Sequence, residues 1–173
     1  MCSEERIESV EQMIRLWQHE IWRVFADRLV NNEDKLIVLN ESIVSVKKFF
    51  SMNYDNVFQR LDNNGDGRVN TINEIRALMF SDYLVPAGAP KLYEEIEDMN
   101  VLTKTIENKI ADVNLVSEKP VDLVMFNFAL EHIVTIGRIL KQPGGNALLI
   151  GVGGSGRKSL TRLACEISEI GVY

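Results

Sequence analysis

Ahead of residue 142 the hydrophobic positions repeat at helical spacing. Ile7, Val10, Ile14, Trp17, Ile21 and Val24 alternate steps of three and four and draw one apolar stripe. This predicts a helix over residues 4–29, with Ser3 as its N-cap. Met13, Trp22, Phe25 and Leu29 widen the stripe, so more than one neighbour is expected to pack on it. His19 and Glu20 fall on the polar side, as solvated or hydrogen-bonded residues and not as ligands. After a turn at residues 31–34, Leu36, Leu39, Ile43, Val46 and Phe50 predict an inward face for a second helix over 34–50. A short helix is expected over 54–61. Thr71 and Glu74 have the spacing of a capping box, which starts a further helix at Ile72 and carries it to about residue 80.

Residues 81–90, with Pro86, Gly88 and Pro90, form a connector. A long helix follows over 91–116, with Leu92, Ile96, Met99, Leu102, Ile106, Ile110 and Val113 on one face. Lys119-Pro120 breaks it, because a residue before proline avoids the helical region. The next helix, over 121–141, is apolar on most of its surface and is expected to be deeply buried, with His132 a satisfied structural histidine. The pattern then changes. Ala147-Leu148-Leu149-Ile150 is a continuous apolar run, read as a strand buried on both faces, and residues 160–170 return to helical spacing. The fold class predicted is mainly α, with at least five helices and at most a trace of strand.

The stretch between that run and the last helix carries the candidate chemistry: Gly151, Val152, Gly153, Gly154, Ser155, Gly156, Arg157, Lys158 and Ser159. Strand, glycine-rich turn and helix is the context in which a phosphate-binding loop has meaning. Glycines let backbone N–H groups approach a phosphate, and the helix points its positive end at the same place. Gly151 and Gly156 hold the glycine positions of the Walker pattern, but Arg157 stands where its lysine belongs and Lys158 where its magnesium-binding hydroxyl belongs. With one residue inserted, Lys158 and Ser159 keep the usual roles instead. Gly151, Gly153 and Gly156 also fit the dinucleotide fingerprint. The plainest reading is a glycine-rich turn with no ligand. ATP or ADP is the expected cofactor, with magnesium in doubt because the hydroxyl is out of register.

A second motif lies at residues 62–74. Asp62, Asn64 and Asp66, with Gly67 and Val69, match the opening of an EF-hand loop. The twelfth position is Asn73, and Glu74 falls one residue late, so the carboxylate that closes a calcium shell is displaced. The competing reading is an Asx-rich turn between two helices. Calcium at Asp62, Asn64 and Asp66 makes a calcium-responsive helical binding module the alternative function.

Composition narrows the classes. The 173 residues are 46% hydrophobic and 25% charged, as in ordinary globular domains, and the net charge of −6 argues against a general nucleic-acid partner. The two cysteines, Cys2 and Cys165, have no metal spacing and suit a reducing, cytoplasmic compartment. No apolar run approaches the ~20 residues that span a bilayer, so no membrane partner is expected.

Several blocks together resemble dynein heavy chains, with an axonemal flavour. Asp122-Leu123-Val124-Met125-Phe126, Glu131-His132-Ile133, Arg138-Ile139-Leu140, Gln142-Pro143-Gly144-Gly145-Asn146 and residues 151–160 look like the start of the fourth AAA+ module. Arg15-Leu16-Trp17-Gln18-His19-Glu20, Arg23-Val24-Phe25-Ala26-Asp27-Arg28-Leu29 and Met79-Phe80-Ser81-Asp82-Tyr83 resemble the helical lid of the third. The resemblance implies a helical AAA+ lid over 1–90. Over 91–173 it implies the first strand, P-loop and first helix of an incomplete α/β P-loop NTPase core. It also implies a regulatory nucleotide site in a minus-end-directed microtubule motor. The implied partners are the other AAA+ modules of the ring, microtubules, and dynein intermediate and light chains. The implied location is the cytoskeleton of a cilium or flagellum. Arg157 also occurs in the family's fourth-module loop, which favours the direct register, while Lys158 stands where the family usually has an amide. Apolar residues at 120–123 would wall the base. No Walker B strand follows before Tyr173, so the expectation is a fragment of an ATPase motor that does not turn over ATP by itself.

Overall fold

The computed structural model describes residues 7–86, 88–116, 120 and 123–171. Ser3 as a cap, and the expected helix starts at residues 4 and 121, lie outside them. The described residues hold seven α-helices and a two-stranded sheet: α1 (Val10–Val24), α2 (Asn32–Ser45), α3 (Tyr54–Val57), α4 (Ile72–Arg76), β1 (Phe80–Ser81), β2 (Glu94–Glu95), α5 (Met99–Val116), α6 (Asn127–Lys141) and α7 (Arg157–Ile167). The fold is mainly helical, as the periodicity predicts. Two compact units divide the chain, Met1–Phe80 and Ser81–Tyr173.

In the first unit α1 packs on α3, and α2 on α4. Ser9 caps α1 by accepting the Gln12 N–H at 3.2 Å, so Ile7 lies outside the helix. Ile7, Val10 and Val24 are exposed, as are Met13 and Phe25. The buried residues are Ile14, Gln18, His19 and Trp22, so beyond Ile14 the inward line runs through Gln18 and Trp22 in place of Trp17 and Ile21, each one residue, or about 100°, further around the helix. His19 therefore does not lie on a polar side. It is 2% exposed, its Nδ1 is 3.0 Å from the Leu78 carbonyl, and its ring meets Phe80 with centroids 5.1 Å apart. Through this polar contact His19 ties α1 to the segment after α4. Gln18 goes inward with it and is fully buried, and neither side-chain amide atom has a hydrogen-bond partner among the described residues.

α2 begins at Asn32 and passes into one π-helical turn, Val46–Phe50, ended by Ser51 at φ 56°. Leu39 and Val46 are buried, whereas Leu36, expected inside, is exposed. Thr71 and Glu74 form the predicted capping box, and α4 starts at Ile72. α4 stops at Arg76, short of the expected 80, and the chain enters β1.

In the second unit residues 91–98 are not helical. Glu94–Glu95 form β2 beside β1, and α5 starts only at Met99, where the Asp98 carboxylate accepts the Asn100 N–H at 2.7 Å. Leu102 and Ile106 make the buried face of α5. α6 starts at Asn127 after an extended Phe126. It is one-sided, not buried all round: Leu130, Ile133, Val134 and Ile136 are inside, while Phe128 is exposed along with Val124 and Phe126 ahead of the helix. His132 packs edge-on against Phe128, centroids 4.1 Å apart. No strand forms over 147–152, and Leu148, Ile150 and Val152 are exposed. An apolar run becomes a strand only when a neighbour supplies the hydrogen-bond ladder, and none of the described residues does so here.

α6 packs on α7, and α5 touches α7. Tyr83 crosses α6 at Gly137, where a Cβ would collide with the Tyr83 hydroxyl. That hydroxyl donates to the Ile133 carbonyl at 3.3 Å and lies 3.3 Å from the Ser168 hydroxyl beyond α7. Asp82 holds Lys141 at 2.5 and 2.6 Å, and the ammonium stands 4.9 Å over the Tyr83 ring. No helix among the described residues is long and apolar enough to cross a membrane.

Two outcomes are expected. An unpartnered buried amide costs about 1–3 kcal/mol, so Gln18→Met raises stability by about that amount in urea unfolding; an unchanged or lower midpoint contradicts it. Burial pushes the Tyr83 phenol up to about 12, against a smaller downward pull from Ser168. The folded state thus keeps a proton that the unfolded chain loses near pH 10, so Tyr83 contributes stability that is present below pH 10 and lost as pH rises towards 12. In unfolding curves taken across that window, Tyr83→Phe should decline less steeply than the parent chain.

Candidate functional site

The glycine-rich loop lies in the second unit and runs from the exposed 147–150 segment into α7. Ser155 N–H closes a turn on the Val152 carbonyl at 3.3 Å, and Leu160 N–H bonds the Gly156 carbonyl at 2.8 Å to start the helix. Gly154 and Gly156 have φ of 81° and 73°, a backbone region that strains other residues. Gly156 is the N-cap of α7 and supplies no side chain, so no N-cap side chain takes up the first N–H groups of the helix. The helix dipole adds positive potential at that end.

Gly153 differs from its neighbours. It has no positive φ, and a Cβ there would meet nothing within 4 Å. Among the described residues neither backbone conformation nor packing requires glycine at this position. Gly151 is tighter, with the Ser155 hydroxyl 3.1 Å from where its Cβ would be. Leu123 reaches the loop, its Cδ2 3.8 Å from a Cβ at Gly156. Of the apolar residues expected to wall a base, Leu123 is the one the structure places here; residues 121 and 122 lie outside the described set.

The cations separate. Arg157 donates from NH2 to the Val152 carbonyl at 3.1 Å and from NH1 to the Leu149 carbonyl at 3.5 Å, near the limit of a hydrogen bond. Lys158 is exposed and has no partner among the described residues, and Ser159 is half-buried in the first turn of α7. α7 begins at Arg157, not at residue 160, so Arg157, Lys158 and Ser159 all belong to its first turn. Cys165, further along, is a buried free thiol whose pKa burial raises, an unreactive environment.

In the first unit Asp62, Asn64 and Asp66 meet in one turn that spends its own oxygens. The Asp62 carboxylate accepts Gly65 N–H at 2.7 Å and Gly67 N–H at 2.9 Å. The Gly67 bond, more than the others, holds its carboxyl below the ordinary value. Asn64 Oδ1 accepts Asp66 N–H at 2.9 Å, Asp66 Oδ1 accepts Arg68 N–H at 2.8 Å, and Asn64 Nδ2 donates to Asp66 Oδ2 at 3.1 Å. Glu74 is buried, and its Oε2 accepts Asn70 N–H, Thr71 N–H and the Thr71 hydroxyl at 3.1, 2.9 and 2.7 Å. Among the described residues no group of three or more His, Cys, Asp or Glu is arranged to hold a metal. Asp55, which the motif reading missed, ties the loop exit by accepting Val69 N–H at 3.0 Å; its position on the preceding helix carried no sequence signal.

Family profiles match both ends of the chain. One, described as "P-loop containing dynein motor region D4", covers residues 121–173, and another, "Dynein heavy chain, ATPase lid domain", covers residues 1–35. Among curated relatives, dynein axonemal heavy chain 3 of Mus musculus is 40% identical over 173 residues, which is 100% of this chain and 4% of the relative. Dynein axonemal heavy chain 12 of Mus musculus is 41% identical over 177 aligned residues, 100% of this chain and 6% of the relative. Dynein axonemal heavy chain 1 of Homo sapiens is 36% identical over 169 residues, 98% of this chain and 4% of the relative. The chain thus spans 4–6% of the length of such relatives.

Calcium is the test of the 62–74 turn. Calorimetry with millimolar calcium is expected to give weak or no binding, because Glu74 would first have to leave the capping box. A dissociation constant in the micromolar range, lost on Glu74→Gln, would show that it does leave.

Proposed function

We propose, from the premise that this chain is homologous over its whole length to axonemal dynein heavy chains, that it carries a regulatory nucleotide site at residues 151–159. ATP or ADP is the ligand, with its phosphates on the N–H groups of the loop and of the first turn of α7. Leu123 lies beside the loop and suits the base-proximal wall. Residues 1–90 serve as the lid of one AAA+ module and 91–173 as the start of the next. The other AAA+ modules, microtubules and dynein intermediate and light chains are its partners in axonemal, minus-end-directed movement.

Gly153 is the observation that carries this reading. Positive φ accounts for Gly154 and Gly156, and a near side chain restricts Gly151, but nothing among the described residues accounts for Gly153. A ligand pressed against the backbone does. The N-terminus of α7, with no N-cap side chain, supplies the complementary potential. The match of residues 121–173 to the profile described as "P-loop containing dynein motor region D4" supports the reading.

A fluorescent ATP analogue titrated into the 173-residue chain provides the test. Saturable binding is expected, weakened at least tenfold by Gly153→Val, while hydrogen exchange of α6 and α7 stays unchanged because the added side chain meets no protein atom. Equal affinity in the two proteins, or no saturable binding at millimolar analogue, refutes the reading.

A further inference from the structure

Arg157 occupies the lysine slot of the direct register, yet its guanidinium is turned to the loop's own carbonyls, Val152 at 3.1 Å and Leu149 at 3.5 Å. In a trans peptide the C=O and the next N–H point in opposite directions. A guanidinium held by the Val152 carbonyl therefore lies at the edge of that peptide opposite the Gly153 N–H. A phosphate received by that N–H lies at the other edge of the same peptide from Arg157. The planar fork of arginine suits this task, since two nitrogens can reach two carbonyls three residues apart. An ammonium is a point charge and cannot span them in the same way. The Arg157 side chain also passes close to Gly151, where an added Cβ would stand 3.5 Å from its Cδ and Nε.

We propose that Arg157 is a positioning residue that braces the loop from behind, and that the unpartnered Lys158 is the cation left to meet the phosphate. This rests on the nucleotide reading for its second half, whereas the brace itself does not. It separates two roles that the Walker pattern gives to one lysine. The empty loop is then held in shape by a side chain of its own helix, and no phosphate is needed to shape it.

Four variants of the 173-residue chain separate brace from ligand: Arg157→Lys, Arg157→Gln, Lys158→Gln and Lys158→Arg. Without nucleotide, millisecond hydrogen exchange is read at the amides of residues 153–156. Both Arg157 variants are expected to exchange several-fold faster there, with α6 amides as the unchanged control. Both Lys158 variants are expected to match the parent. With the fluorescent ATP analogue, Arg157→Lys is expected to bind as weakly as Arg157→Gln, because charge alone does not restore the fork. The dependence of affinity on potassium chloride stays at the parent slope in both, since no phosphate-contacting charge has been removed. Lys158→Gln flattens that slope and Lys158→Arg recovers it. Parent-like exchange in Arg157→Gln, or parent-like affinity in Arg157→Lys, overturns the brace. A parent chain that binds no analogue refutes the nucleotide reading and the role of Lys158 with it, and the exchange arm then decides the brace alone.

Discussion

The second unit depends on a close approach between Tyr83 and α6. The phenol lies across the helix where residue 137 has no side chain, and its hydroxyl joins the Ile133 carbonyl to Ser168 at the far end of α7. Asp82 and Lys141 clamp the same place from the side, with the ammonium over the ring. Such a contact is demanding, since a single methyl at Gly137 would collide with Tyr83. It is also organising, because α6 and α7 are the best-packed pair of helices in the unit and α7 carries the glycine-rich loop at its other end.

That loop shows how one backbone can hold several glycines for different reasons. Gly154 and Gly156 are required by the turn. Gly153 is required by nothing among the described residues, and the proposed phosphate would explain it. The charges divide in the same manner, with Arg157 satisfied by backbone carbonyls and Lys158 left to solvent. A phosphate bound at the helix end as proposed would meet backbone N–H groups and the exposed Lys158 ammonium, an electrostatic preorganisation in place before binding.

The first unit reaches the opposite result with acidic residues. Its turn at 62–67 and the capping box at 71–74 spend carboxylate oxygens on backbone N–H groups. Charge-assisted bonds of this kind are among the stronger ones available to a loop, and they leave the turn shaped by its own side chains. The resemblance to a calcium loop and the observed geometry share one cause: short acidic and amide side chains alternate with glycines, which suits Asx turns and metal shells alike.

Local chemistry determined much of this protein from sequence alone. The helical class, the capping box at Thr71 and Glu74, and the start of α4 at Ile72 follow from periodicity and side-chain reach within a few residues. The order of blocks that resembles dynein heavy chains was likewise readable, and the whole-length similarity to axonemal members agrees with it. Tertiary structure decided the rest. The segment at 91–98 has helical spacing but is not helical, and Glu94–Glu95 within it pair as β2 with β1. Residues 147–150 have strand composition but lie exposed, because no described neighbour offers a ladder. His19 and Gln18 went inside against their polarity, His19 with its Nδ1 on the Leu78 carbonyl. Arg157 turned to carbonyls that only the folded loop brings within reach. In each case the deciding partner lies beyond the window that sequence periodicity samples, or exists only once the backbone has closed on itself.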